Sequence, residues 1–189
     1  IKSRNYSFSA KILNTKDYGN IPHNRERIFI VCFDNIEFHD SKVHFKFPEK
    51  EDLTKTIFDF ILQNKVDEKF YYREDKYMYE DLKNSITKNN TLYQWRRKYV
   101  RENKSHVCPT LTANMGTGGH NVPLVKTKFG IRKLTPRECF LFQGFDKDFI
   151  LPEIANSHLY KQSGNSVSVP LIRNIADNIK KVIFRRELE

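Results

Sequence analysis

Ile28-Phe29-Ile30-Val31-Cys32-Phe33 is an unbroken apolar run of strand length, rich in branched and aromatic side chains. Such a run has no polar face to give to water. It predicts a central strand covered on both faces, and a strand of that kind needs neighbours. Phe8 to Leu13 reads as a second strand. Between the two, Asp17 to Pro22 carries turn residues, and Pro22 favours an extended entry to the strand that follows. Strand sequence begins within a few residues of Ile1, which predicts that preceding sequence belongs to the same domain.

From about Pro48 to Lys128 the texture changes to tyrosine-rich, basic sequence, which predicts a separate smaller domain. It opens on a predicted helix from Asp52 to Leu62 with Leu53, Ile57, Phe60 and Ile61 on one face. Leu92 to Arg101 alternates as one strand, with Tyr93, Trp95 and Tyr99 on one face and Arg96 and Lys98 on the other. An aromatic core face behind a solvated basic face explains this as well as direct nucleic-acid contact does, and both can hold together. Thr135-Pro136-Arg137-Glu138 offers an N-cap, a proline at the first helical position and a capping-box glutamate, opening a short helix that Gly144 can end. The last helix, Pro170 to Phe184, repeats Ile172, Ile175, Ala176, Ile179, Val182 and Ile183 on one stripe that should pack on a sheet.

A chain of 189 residues, 39% hydrophobic and 30% charged, suits one or two packed domains and is too balanced for disorder. Its formal net charge of +10 favours a polyanionic partner, because each Lys or Arg set against a phosphate releases condensed counterions. Nucleic acid leads over a membrane surface, and a merely soluble basic domain is the plain alternative. No run approaches the roughly 18 apolar residues of a spanning helix, and the N-terminal residues lack a signal-peptide pattern. A cytoplasmic protein is the expectation. Cys32, Cys108 and Cys139 are widely spaced and odd in number, so reduced thiols are expected rather than a disulfide framework or a metal knuckle.

Arg25 and Arg27 stand two apart at the mouth of a strand, so their guanidinium groups should project from one face and Glu26 from the other. That arrangement can bracket an anion or a base edge, because the planar fork of Arg gives two hydrogen bonds and its charge is permanent. Taken alone, such a pair is more often structural. Gly116, Gly118 and Gly119 are not followed by Gly-Lys-Ser/Thr, so a nucleotide P-loop is not indicated. They suit close backbone approach to another surface or an ordinary turn. Gly164-Asn165-Ser166 stands ahead of the final helix, where free amides could receive a carboxylate or phosphate, and where a plain N-cap explains the residues almost as well. Cys32 and Cys139 fall in expected core elements, as small inert thiols.

Taken in order, Lys16-Asp17-Tyr18-Gly19 before Pro22, Asn24-Arg25-Glu26-Arg27-Ile28, Thr110-Leu111, Arg132 to Cys139, and Tyr160-Lys161-Gln162 followed by Gly164-Asn165-Ser166-Val167 resemble the late motifs of the DNA (cytosine-5) methyltransferase family. The resemblance covers nearly the whole chain and is most specific over residues 14–33, 106–145 and 158–183. It implies that Arg27, with Arg25 as its neighbour, belongs to the cytosine pocket, and that Thr110 supports DNA contact near the flipped base. It also implies that Asn165, Ser166 and Val167 line the pocket for S-adenosylmethionine. Arg96, Arg97, Lys98 and Arg101, with Gly118 and Gly119, are the other candidate DNA-binding residues. The family commonly has Gln where this chain has His23.

Methyl transfer to carbon 5 needs a thiolate that adds at position 6 and an acid near the pyrimidine nitrogen. In the family these come from a Pro-Cys pair and a Glu-Asn-Val segment. Here Cys32 and Cys108 follow Val and Cys139 follows Glu, so none of the three matches the nucleophile, and the glycine-rich cofactor turn of the early motifs is not in these residues.

The resemblance therefore implies an α/β fold: the C-terminal part of a Rossmann-like methyltransferase sheet with an inserted small target-recognition domain. The expected division is 1–47 for the last catalytic-domain strands, 48–128 for target recognition, and 129–189 for the return with the closing helix. The implied function is part of an enzyme that methylates a flipped-out cytosine in duplex DNA within bacterial restriction-modification. Its implied partners are duplex DNA and a chain or segment carrying the N-terminal motifs, with no membrane. A DNA-binding specificity subunit without catalysis and an RNA-directed relative acting on tRNA remain the alternatives.

Overall fold

The computed structural model describes residues 5–38, 44–76, 78–96, 98–117 and 121–186. β1 (Tyr6–Asn14) and β2 (Glu26–Asp34) pair antiparallel from Tyr6 opposite Asp34 to Asn14 opposite Glu26. The four-residue helix α1 (Thr15–Tyr18) turns the chain between them; Asn14 caps it through the Lys16 amide. Strand alternation sorts the side chains. Leu13, Phe29, Val31 and Phe33 lie on one face, and Leu13, Phe29 and Val31 pack with Tyr18, Phe45 and Phe47 against the final helix. Tyr6, Phe8, Ile12, Ile28 and Ile30 lie on the other and are 39–63% exposed. The expectation of a strand covered on both faces is thus met on one face only. Among the described residues β2 pairs with β1 alone.

The middle of the chain builds a second, four-stranded antiparallel sheet in the order β4-β3-β5-β6, from β3 (Tyr93–Arg96), β4 (Tyr99–Glu102), β5 (Leu124–Thr127) and β6 (Gly130–Lys133). The helix α2 (Tyr79–Ser85) seals it through Leu82, with Met78 and Ile86 flanking. Two expectations fail here. The helix over 52–62 is only a 3-10 turn at Ile57–Asp59. The Asn20 side chain accepts from the Thr54 and Lys55 amides, and the Lys55 amide is the one that would close a first helical turn onto the Glu51 carbonyl. The single strand over 92–101 is a hairpin, β3 and β4, which turns after Arg96. Tyr93 and Trp95 are buried as expected, but Val100, opposite Trp95, takes the inner face and Tyr99 is 60% exposed. The expected boundary after residue 128 falls in the turn between the paired strands β5 and β6.

β6 leads into α3 (Pro136–Leu141), which begins with the expected capping box of Thr135 and Glu138 and the expected proline. Glu138 is fully buried and answers Arg132, also fully buried, through two hydrogen bonds of 2.7 and 2.8 Å. The same carboxylate accepts from the Thr135 amide and hydroxyl and from the Leu62 amide, so one ion pair joins sheet, helix and the loop before α2. At Gly144 (φ +86°) a side-chain carbon would lie 2.4 Å from Pro170 and 2.7 Å from Ile21, so only glycine fits the turn that follows α3. α4 (Asn156–Asn165) and α5 (Val169–Arg186) close the chain. α5 packs on the β1–β2 sheet through Leu171, Ile175 and Ile179. The expected stripe is therefore split: Ile172, Ala176 and Ile183 are exposed. One apolar cluster runs from Ile21 through Ile57, Phe60, Leu111 and Phe142 to Tyr160, so the middle segment shares a core with both flanks.

Candidate functional site

The residues implicated from sequence meet where two irregular stretches, Pro22–Arg25 and Cys108–Leu111, lie side by side. The Cys108 amide donates to the Pro22 carbonyl (2.6 Å) and the Asn24 amide to the Cys108 carbonyl (2.8 Å). The Thr110 hydroxyl donates to the Asn24 carbonyl (2.6 Å). His23 extends this ladder with its ring. Nδ1 lies 2.9 Å from the Phe142 carbonyl and Nε2 lies 3.2 Å from the Leu111 amide nitrogen. A backbone amide can only donate, so Nε2 accepts and the ring proton sits on Nδ1, facing the Phe142 oxygen. Burial first, and the charge of Arg25 next, lower the imidazole pKa to about 3, so the ring is neutral.

Arg25 is buried, and its two terminal nitrogens are engaged by backbone carbonyls. Nη1 reaches the Leu111 carbonyl (2.9 Å), and Nη2 reaches the carbonyls of Gly164 (3.2 Å) and Ser166 (2.7 Å). Leu111 is therefore held at both polar groups, its amide by His23 and its carbonyl by Arg25. Burial, then the neighbouring Arg27, lower the Arg25 pKa to about 10, which leaves it charged at neutral pH. Arg27 is exposed and donates to the Glu26 carbonyl (2.6 Å). The two arginines thus do not form the matched pair that alternation predicts. β2 begins only at Glu26, so Arg25 lies outside the pleat and turns inward.

Gly164 and Asn165 also sit otherwise than expected. They form the last turn of α4, with Ser166 as its C-cap donating its amide to Gln162 (2.9 Å), so no run of free amides is offered there. A side-chain carbon at Gly164 would lie 2.3 Å from the Thr112 carbonyl carbon; glycine is required because the Thr112–Ala113 backbone passes directly over it. The Asn165 and Val167 side chains are exposed, and the Ser166 hydroxyl donates to the Ser163 carbonyl (2.7 Å). Asn165 and Ser166 line an open cleft of about 610 Å³ with Ile154, His158, Lys161 and Gln162. This donor set, an amide and a lysine beside an apolar rim, fits one wall of a site for a charged, amino-acid-like group.

Arg96, Lys98 and Arg101 are exposed on or beside the β3–β4 ribbon. Thr110 borders a polar cleft of about 350 Å³ that also takes in Arg96 and Arg101. Arg97, Gly118 and Gly119 lie outside the described residues. Cys108 and Cys139 are fully buried, and burial pushes both thiols well above their ordinary pKa. Cys32 is exposed rather than in a core, because its face of β2 is the uncovered one. His23, which holds the Leu111 amide, and Gln94, which accepts from Arg96 and Arg101, were the partners hardest to see in sequence. The only local signal was a histidine two residues before Arg25 and a polar residue set between Tyr93 and Trp95.

The family model for C-5 cytosine-specific DNA methylases matches residues 1–181. The chain belongs to this family. Among relatives of this C-5 cytosine methylase chain, Type II methyltransferase M.Bsp6I of Bacillus sp. (strain RFL6) is 64% identical over 183 residues, 96% of this chain and 57% of that protein. Type II methyltransferase M.SsoII of Shigella sonnei is 34% identical over 95% of this chain and 46% of its own length. The methylase chain thus spans about half the length of the curated relatives it matches. Two solved structures superpose on nearly all of it: S. pombe Dnmt2 methyltransferase (TM-score 0.62, 15% identity, 97% of this chain and 60% of that one), and a Spodoptera frugiperda DNMT2 mutant (TM-score 0.63, 17% identity, 96% and 59%). At such identities the likeness is one of fold. It places the β1–β2 sheet and α5 in a Rossmann-like methyltransferase α/β architecture, as expected. Among the described residues no helix is long and apolar enough to cross a membrane.

Proposed function

We propose that this chain is the C-terminal, recognition-bearing part of a DNA (cytosine-5) methyltransferase of bacterial restriction-modification, acting in the cytoplasm on a cytosine flipped out of duplex DNA. The observation that carries this reading is the Leu111 clamp. His23 and Arg25 fasten the recognition segment's Thr110–Leu111 to the strand that bears Arg27 and to the Gly164–Ser166 turn, so residues distant in sequence converge at one place. In this reading Arg27, exposed and positively charged, is the residue that meets the cytosine ring. Arg25 is a positioning residue rather than a contact. Thr110 and the basic residues Arg96, Lys98 and Arg101 of the ribbon face DNA, and Arg97, Gly118 and Gly119 are proposed as DNA-binding residues on the resemblance alone. Residues 48 to 133 act as the target-recognition unit, and 134–189 return to the catalytic domain.

S-adenosylmethionine, when bound, supplies the methyl group. Asn165, Ser166 and Val167 would form one wall of its site, with the Asn165 carboxamide available for a hydrogen bond. The nucleophilic thiol and the proton donor for the cytosine ring belong to an N-terminal segment, since Cys108 and Cys139 are buried as neutral thiols and Cys32 lies on an apolar sheet face. The experiment is reconstitution with the N-terminal segment of a close relative, followed by transfer of labelled methyl groups to duplex DNA. Neither part alone should methylate, and the mixture should. Activity of this chain alone, lost on changing one of its own cysteines, would overturn the reading; methylation of tRNA but not of duplex DNA would favour the RNA-directed alternative.

A further inference from the structure

The β3–β4 ribbon packs with its inner face, where Tyr93 and Trp95 are buried and Val100 joins the same cluster. Its outer face holds an arrangement that charge alone does not require. Gln94 stands directly opposite Arg101, and Arg96 lies two residues along β3, so the three side chains share that face. The Gln94 Oε1 accepts from Nη2 of Arg101 (2.5 Å) and from Nη2 of Arg96 (3.3 Å). An amide nitrogen in that position would set donor against donor, so the two cations fix which way the carboxamide points. It in turn anchors the Arg101 guanidinium at Nη2. Nη1 and the second Nη2 proton of Arg101 remain for a partner. The face opens into the polar cleft bordered by Asn24, Asn103, Thr110, Asn114 and Asn121, with no carboxylate among its described lining residues.

An arginine that only neutralises a phosphate needs charge and reach, which Lys98 also has. It does not need a neighbouring amide to anchor it. A guanidinium anchored in this way matches paired acceptors instead, and in the DNA major groove, which admits a two-stranded ribbon, guanine offers such a pair in O6 and N7. We infer that Arg101 reads a guanine of the target sequence and that Gln94 anchors the guanidinium that does so. This inference rests on the reading of the chain as part of a DNA methyltransferase and names the residues that determine its specificity.

The test uses the reconstituted enzyme on a pool of duplexes randomised around the cytosine, with methylated positions read by bisulfite sequencing. Wild type should require a G·C pair at a position near the methylated base. Gln94→Ala and Arg101→Lys both keep the positive charge, and each should lower discrimination at that one position roughly tenfold to a hundredfold while other positions hold. Preference is a ratio within one pool, so loss of folded protein cancels. Unchanged preference in both variants overturns the inference. So does an Arg101→Ala variant that binds every sequence more weakly by the same factor, with a salt slope reduced by about one, which is the behaviour of a phosphate contact. A pool methylated without any guanine preference sinks this inference alone. A pool left unmethylated by wild type sinks the methyltransferase reading and the inference with it.

Discussion

His23 occupies a position that a neutral imidazole satisfies and a protonated one does not, with one ring nitrogen donating to Phe142 and the other accepting from Leu111. Its pKa falls from 6.5 to about 3 on folding, so the unfolded chain binds the proton more readily. Stability from this group is complete above pH 6.5 and is lost as pH falls from there towards 3. Between pH 7 and pH 5 the loss is about 2 kcal/mol. His23→Gln keeps one donor and one acceptor without a titrating proton, so urea melts of that variant should lose this acid slope; equal slopes in the two proteins would refute the assignment. Arg25 and Arg27 divide in the same way. Arg25→Ala leaves three carbonyls without their donor and should cost roughly 1.5–3 kcal/mol or more in a melt. Arg27→Ala should leave the melt unchanged and slow single-turnover methyl transfer about tenfold to a hundredfold. A slow but stable Arg25→Ala variant with a fully active Arg27→Ala variant would reverse the two roles. The arginine pair was legible in the sequence, but its division was not, because the carbonyls that hold Arg25 lie 86 and more residues away.

Elements whose instructions are local were the ones visible in the sequence. The capping box that starts α3 is written within four residues, and it forms as expected. The helix expected over 52–62 had the right apolar spacing, yet Asn20, more than thirty residues earlier, takes the Lys55 amide that would close its first turn. Apolar period alone could not show that. α4 escaped notice because few of its residues are apolar and Gly164, a poor helix former, stands in its last turn. The α3 capping glutamate also serves a distant element, since Glu138 is the buried partner of Arg132 and of the Leu62 amide. Glu138→Ala would strand a fully buried guanidinium and two amides, which should destabilise the chain by about 3–5 kcal/mol. A chemical melt checks this. A loss below about 1 kcal/mol would mean that the Arg132 charge finds another partner or water.

At the scale of the whole chain, the uncovered face of the β1–β2 sheet outweighs any single interaction. Tyr6, Phe8, Ile12, Ile28 and Ile30 lie together on it, half or more of the last three exposed, and β2 has no described partner on its second edge. Contiguous apolar surface and an open strand edge are features that soluble chains rarely leave uncovered. The run Ile28 to Phe33 announced a strand with two buried faces, and the present chain supplies cover for one. The chain spans about half the length of these relatives, and the N-terminal segment of the proposed enzyme is the occupant proposed for the other face. Ile28→Thr/Ile30→Thr keeps branched residues suited to a strand and changes only side chains that are already exposed, so the isolated chain should melt within about 0.5 kcal/mol of wild type. Removing their apolar contact should weaken assembly at least tenfold, about 1.4 kcal/mol. The measurement is the concentration of N-terminal segment needed to restore half-maximal methyl transfer. If that midpoint does not move in the double variant, the segment docks elsewhere and the apolar face has another occupant.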